Sequence, residues 1–328
     1  MRALVPIIVA FSILFTGFPS QVEARLGGSG GAFLSMGGGA RPLALSGAYV
    51  AFAEGIDAIY WNPAGIARVD KSSLVFSHAL LYADMSHENF AFVQPLTDGA
   101  FGISALALIS GDIEITDYEN QEGTGEFYSA NDYAVGFSYA RMMTKKFTAG
   151  FTMKVINQNI AKVSATGVAF DLGATYNTEF HNLRFGFAAQ NFGVDMSYGG
   201  EDLEIKVGIG GDSLNVEEDI LATYKSEPYT LPLTFQLGAA VDLYNSAQHR
   251  FTVEGDLVHP NDQEETYAVG AEYSYREMLF LRAGHTQKNS RGFSGGVGLK
   301  VMNFQVDFSF EQHSELTDIK RISLGFNY

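Results

Sequence analysis

The sequence predicts an all-β fold, a transmembrane antiparallel β-barrel of about 14 strands. Three observations carry that expectation. From about Ser72 to Tyr328, apolar and polar residues alternate with period two, segment after segment. The connections between these segments alternate between short and long. Beyond the N-terminus, no run reaches the roughly 18 apolar residues that an α-helical span needs, and mean hydropathy is only +0.03.

The elements follow in chain order. Met1-Arg2 is a short positive start and Ala3 to Phe18 an uncharged apolar stretch. Val22-Glu23-Ala24 is a small-residue cleavage site, so residues 1–24 read as a signal peptide cut between Ala24 and Arg25. The mature chain therefore leaves the cytoplasm. Residues 25–70 form a Gly- and Ala-rich zone with a helix-like stretch around Gly55 to Trp61. Asp57 to Trp61 can make about one helical turn, which Pro63 stops.

Residues 71–328 read as the barrel. Side chains alternate across a strand, so each segment has a greasy face and a polar or small one. The clearest case is 231–243: Leu231, Leu233, Phe235, Leu237, Ala239, Val241 and Leu243 alternate with Thr234, Gln236, Gly238, Ala240 and Asp242. The same split recurs around Phe137, Phe151, Leu172, Phe185, Val253, Val269 and Phe308. Weaker candidates near 73–82, 88–96, 100–110, 278–286, 292–301 and 319–328 complete the 14. The 100–110 segment is apolar on both faces, which leaves its phase open.

Short connections lie at Thr97 to Gly99, Met143 to Lys146, Asn177 to Asn182, Tyr244 to Ala247, Arg276-Glu277 and Val301 to Asn303; the long ones are chiefly 111–131 and 194–228. Short periplasmic turns with longer external loops are the pattern of outer-membrane barrels, and an even strand count puts both chain ends on the periplasmic side. The polar faces carry Lys154, Asp171, Arg184, Asp242, Glu254, Glu272 and Asp307. A soluble barrel would show such charges outside, and 14 strands enclose too wide a lumen for a dry core. The greasy faces are therefore expected toward lipid and the polar and glycine positions toward the lumen. The C-terminus places Ile322, Leu324 and Phe326 on one face and ends on Tyr328. It resembles the signal that the barrel-assembly machinery reads.

Composition narrows the chemistry. With no cysteine, disulfides, thiol catalysis, Cys-ligated metal sites and a lipoprotein anchor are excluded. A net charge of −16 argues against nucleic-acid binding, which needs a basic footprint. Gly27 to Gly31 matches G-x-S-x-G but lacks the strand and helix of a nucleophile elbow. The seven histidines are scattered, and Gly208 to Gly211 lacks dinucleotide-binding spacing. The expectation is a non-enzyme without cofactor or metal. Seven acids between Asp112 and Asp132, unaccompanied by Lys or Arg, read as solvated loops or as a surface for cations or a partner.

The segment Gly39 to Ala67, with Trp61-Asn62-Pro63-Ala64-Gly65 at its centre, resembles the N-terminus of the PorV/PorQ family, part of the wider FadL-like group of outer-membrane barrels. Leu231-Pro232-Leu233-Thr234-Phe235 resembles a recurrent later strand of that family. The resemblance implies that residues 25–70 fold inside the lumen as a plug or hatch, with Trp61 to Gly65 as its motif. The residues suit this. Asn62 can bond local backbone, and Ala64-Gly65 permits close approach. Inward Gly136, Gly150, Gly173, Gly186, Gly238 and Gly270 would leave room, and Trp61 reads as a packing residue. For function, the resemblance implies a component of type IX protein secretion that binds or shuttles cargo at the outer membrane of a Gram-negative-type bacterium. The alternative is FadL-like transport of long-chain fatty acids or other hydrophobic solutes through a lateral opening and a hatch shift. The expected partners are outer-membrane lipid, the barrel-assembly machinery, and secreted cargo or a hydrophobic ligand.

Overall fold

The computed structural model describes residues 29–208, 219–287, 291–313 and 317–328. The signal peptide with its Ala24–Arg25 cut, Gly27-Gly28 and Ile209 to Gly211 lie outside the described residues.

Fourteen long antiparallel strands form the wall: β1 (Ser73–Leu80), β2 (Ser86–Leu96), β3 (Gly99–Ile109), β4 (Ala130–Met142), β5 (Phe147–Ile160), β6 (Val163–Asn177), β7 (Arg184–Gly193), β8 (Thr234–Asn245), β9 (His249–Pro260), β10 (Thr266–Tyr275), β11 (Leu279–Thr286), β12 (Arg291–Val301), β13 (Phe304–His313) and β14 (Ile319–Asn327). Each pairs with its chain neighbours, and β1 pairs with β14 from Ser73↔Asn327 to Leu80↔Lys320, which closes the ring. Closure pairs the backbone on both sides of every strand, the condition for a sheet to sit in lipid.

The faces point as the alternation requires. Phe137, Phe235 and Phe308 are 50%, 42% and 41% exposed on the outer wall, whereas Asp171, Asp242 and Asp307 are 2%, 4% and 4% exposed inside. In β3 the open phase resolves: Phe101 and Ile103 face out, while Ala100, Ser104 and Leu106 are buried inside. The outer face is an apolar band with aromatics at the rims, among them Tyr139, Phe147, Tyr176, Tyr244 and Phe304.

Several expectations change. Residues 231–233 do not belong to the strand that alternation assigned them to. Pro232 has no N–H for the ladder, β8 begins at Thr234, and Leu231 turns inward to 3% exposure. Ala161-Lys162 is a two-residue connection on the long-loop rim, an exception to the length alternation. Pro63 both ends one turn and starts the next. A 3-10 turn spans Ile56–Tyr60, and a second runs Pro63–Arg68 with Asn62 as its N-cap. Proline at a first helical position loses nothing, because its missing N–H would be unpaired there anyway.

Residues 29–69 lie against the inward faces of the wall and end beside β1 on the short-turn rim. The segment begins at the opposite rim. Ser29 bridges Thr230 in parallel, and its hydroxyl donates to Asp262 in the β9–β10 connection. The barrel's first and last strand ends share the short-turn rim, whereas the first described residues lie at the opposite rim. An even strand count fixes only where the strands end, and a segment of about 40 residues preceding them is long enough to run from one rim to the other.

Candidate functional site

The interior is built by the N-terminal segment meeting the inward side chains. Trp61 to Gly65 lie together against β6 and β7. The Asn62 amide nitrogen donates to Val50 O at 2.8 Å and to Ala174 O on β6 at 3.2 Å, and its oxygen accepts from Ala64 N at 3.2 Å. One side chain thus ties the turn to its own segment and to the wall. It sits directly on two glycines. A Cβ at Gly173 would lie 2.1 Å from the Asn62 oxygen, and one at Gly150 would lie 2.4 Å from Ala64 N. Gly65 itself backs onto Ala53 O, where a Cβ would come within 2.4 Å. Trp61 packs on Gly37 and Gly47 and donates from its indole to Gly38 O at 2.9 Å. Gln190 of β7 donates to Tyr60 O and Trp61 O. Gly136 does not face the segment as expected. A Cβ there would meet Ser104 and Thr152 of the wall, because neighbouring inward side chains already occupy that space.

The strongest anchors are two inward carboxylates of β9. Glu254 and Asp256, two apart on β9 and therefore on one face, accept four consecutive backbone N–H groups. Asp256 takes Tyr49 and Val50 at 2.8 and 3.0 Å, and Glu254 takes Ala51 and Phe52 at 2.7 and 3.0 Å. Bonds from N–H to a carboxylate are roughly twice as strong as neutral ones.

An ion-pair chain adds to this. Arg41 donates to Glu272 through two nitrogens at 2.9 and 3.0 Å, and Arg282 joins Glu272 to Asp307 at 2.7 and 2.5 Å. Arg184 of β7 pairs with Glu54 and with Asp242. Phe52 sits among three guanidinium groups, those of Arg41, Arg184 and Arg250, at 4.7, 4.9 and 5.8 Å from its ring centre. A bulge between β6 and β7 puts Asn191 at φ 62° and brings Lys154, Asp171 and Asn191 together.

Cavities remain at both rims. One of about 90 Å³ opens toward the long-loop rim between Leu34, Leu43, Tyr60, Trp61 and the wall residues Gln236 and Val258. The other, about 460 Å³, opens at the short-turn rim among Arg41, Glu54, Asp57, Arg250, Arg282 and Asp307. Asp57 borders it. Burial pushes its carboxyl up to about 7, and nearby Asp307 adds to the rise, against the opposing pull of Arg41, Arg282 and Arg321.

Ile322 and Leu324 face outward on β14, and Phe326 stacks between Phe304 and Tyr328, whose N–H donates to Ser72 O at 2.8 Å. Among the described residues no group of three His, Asp or Glu side chains is placed to hold a metal ion.

No family model matches the sequence, and no curated protein matches it either. Solved structures do. The toluene transporter TodX of Pseudomonas putida is similar, with a TM-score of 0.56, 13% identity, and coverage of 89% of this chain and 97% of that one. A deltaS2S3 mutant of the TodX monoaromatic hydrocarbon channel gives 0.54 and 13%, covering 89% and 98%. At that identity the likeness is one of fold. The fold and its lipid-facing band define an integral outer-membrane β-barrel.

Proposed function

We propose that the protein is an outer-membrane channel for small hydrophobic solutes, in which residues 25–70 serve as the plug, residues 1–24 as the export signal and residues 71–328 as the wall. One observation carries this reading. The bore is filled by a segment that is no part of the wall, and this segment leaves a cavity at each rim, the outer one bounded by Leu34, Leu43, Tyr60, Trp61 and Val258. Polar groups, among them Gln190, Asn191, Thr234, Gln236 and Gln263, share that lining, and such a mixed pocket can both cover and orient a small solute. The similar structures bear on it as proteins described as a toluene transporter and a monoaromatic hydrocarbon channel. Trp61 to Gly65 would seat the plug, and Ile322, Leu324, Phe326 and Tyr328 would present the closing strand to the assembly machinery. The secretion-linked role rests on the sequence resemblance alone.

Trp61 is the single tryptophan and borders the outer cavity. Its fluorescence should therefore respond to toluene or to a long-chain fatty acid titrated into the purified protein. Cells lacking the protein should take up the labelled solute more slowly, and Asn62→Ala and Pro63→Ala should slow uptake as well. Unchanged uptake in the deletion strain would rule the channel out. Secreted cargo trapped in the periplasm of that strain would favour the secretion role instead.

A further inference from the structure

The outer cavity, of about 90 Å³, has no Asp, Glu, Lys, Arg or His in its lining. Its buried polar groups are amides, hydroxyls and one indole, and several of their donors are already spent on the protein. Trp61 Nε1 donates to Gly38 O at 2.9 Å, and Thr286 Oγ1 donates to Tyr267 O at 3.1 Å. Asn191 Nδ2 and Thr234 Oγ1 both donate to Pro232 O, at 3.1 and 3.2 Å. Two glutamines complete the pattern. Gln190 Nε2 meets two carbonyls, Tyr60 O at 2.8 Å and Trp61 O at 3.1 Å. A carbonyl only accepts, so this end of the Gln190 amide is its NH2 and the other end its oxygen. That oxygen accepts from Gln236 Nε2 at 3.2 Å, which fixes the second amide in turn. What remains is Gln236 Oε1, a buried acceptor with no hydrogen-bond partner among the described residues. Gln236 stands one inward position below Thr234, the outer end of β8.

A ligand that satisfies this atom must bring a donor. A hydrocarbon has none and leaves the acceptor buried and unpaired. An ionised carboxylate has none either, and no cation of the lining offsets its loss of water. A neutral hydroxyl supplies the donor, while Leu34, Leu43, Trp61 and Val258 cover an apolar remainder. The cavity is smaller than the roughly 150 Å³ that takes benzene and opens at the rim, so such a ligand enters hydroxyl first with its apolar body toward the mouth. We infer that the outer cavity selects small uncharged solutes that carry a hydroxyl group, and that Gln236, oriented by Gln190, is the residue that recognises the hydroxyl. The inference rests on the channel reading and narrows the solutes it favours.

The test compares 1-pentanol with methyl butyl ether, an isomer that keeps the oxygen and the bulk but has no O–H. Both are titrated into the purified protein in a calorimeter, with pentanoate and toluene as further probes. In the wild type, 1-pentanol should bind about tenfold more tightly than the ether, the scale of one satisfied buried acceptor, and pentanoate should bind worst. Equal binding of alcohol and ether, or tighter binding of pentanoate, would overturn the inference without any variant.

Gln236→Leu keeps the bulk and removes the acceptor, so it should bring alcohol and ether to equal affinity. Gln190→Met should narrow the preference by strengthening the ether, because an untethered Gln236 amide can turn its NH2 toward the ligand. Heat-modifiable migration in gels checks that each barrel is folded. The Tyr60 hydroxyl also lacks a partner among the described residues, so Tyr60→Phe serves as the control and should leave the preference intact. A preference that survives Gln236→Leu, or one that vanishes in Tyr60→Phe, would overturn the assignment to Gln236. An unchanged preference in Gln190→Met would overturn the orienting role of Gln190. Binding of toluene with no preference for alcohol over ether would leave the channel reading standing and the inference overturned. Absence of binding by all four probes would sink both.

Discussion

Asn62 ties the N-terminal segment to the wall, because its amide satisfies two carbonyls and one N–H at once. Asn62→Ala leaves those groups unpaired in a site of 0% exposure, each at about 1–3 kcal/mol. Hydrogen exchange of amides 50–65 should then rise well above wild type while wall strands stay protected. Gly173→Val tests the same seat from the other side. A side chain there collides with the Asn62 oxygen and Pro63, so the variant should show higher ion conductance in planar bilayers with an unchanged β-sheet spectrum.

Asp57 adds a pH dependence. Its folded value, about 7, lies above the ordinary 3.8. The docked state therefore holds a proton that the undocked state has lost. The resulting stabilisation is present at low pH and is lost as pH rises from about 4 to about 7. Proteolysis of residues 29–69 should be faster at pH 8 than at pH 5, and Asp57→Asn, which keeps a neutral group throughout, should abolish the difference.

At the scale of elements, β9 is the strand that grips the N-terminal segment. Glu254 and Asp256 bind backbone rather than side chains, so they fix the path of residues 49–52 whatever residues stand there. Glu254→Gln/Asp256→Asn keeps the shape but removes the charge-assisted part of four bonds. Exchange of amides 49–52 should rise by an order of magnitude or more while β9 itself remains protected; no change would show that the ion-pair chain through Arg41 and Arg184 suffices. The short 3-10 turns at Ile56–Tyr60 and Pro63–Arg68 are too brief to be stable alone. They persist because Gln190 and the Asn62 cap hold their ends.

At the scale of the whole molecule, the two faces of the wall use opposite surroundings. The outer band is stable because acyl chains cover it, and the inner face because residues 29–69 and the ion pairs satisfy it. Phe137→Arg places a charge on the lipid face and should cost about 2–4 kcal/mol near the bilayer midplane, read as a lower folded fraction in lipid vesicles across a urea series. Ser138, one residue on, faces inward and bonds Thr152 at 2.7 Å. Ser138→Ala should be tolerated in the same assay far better than Phe137→Arg. Near-equal losses would contradict the assignment of faces.

Strand number, facing and the turn positions followed from the amino-acid sequence alone, because lipid imposes one rule on every strand and period-two alternation records it locally. Trp61 to Gly65 stood out only through its resemblance to the N-terminus of the PorV/PorQ family. What the sequence did not contain was which inward charges meet. Arg41 and Glu272 are 231 positions apart, and Arg184 lies 130 from Glu54 and 58 from Asp242. Nor could it show that residues 29–31 lie at the long-loop rim, or that Leu231 turns inward beside them. Those outcomes were decided only by ring closure, which sets the register between distant strands and so determines which buried charges find a partner close enough to offset the loss of water.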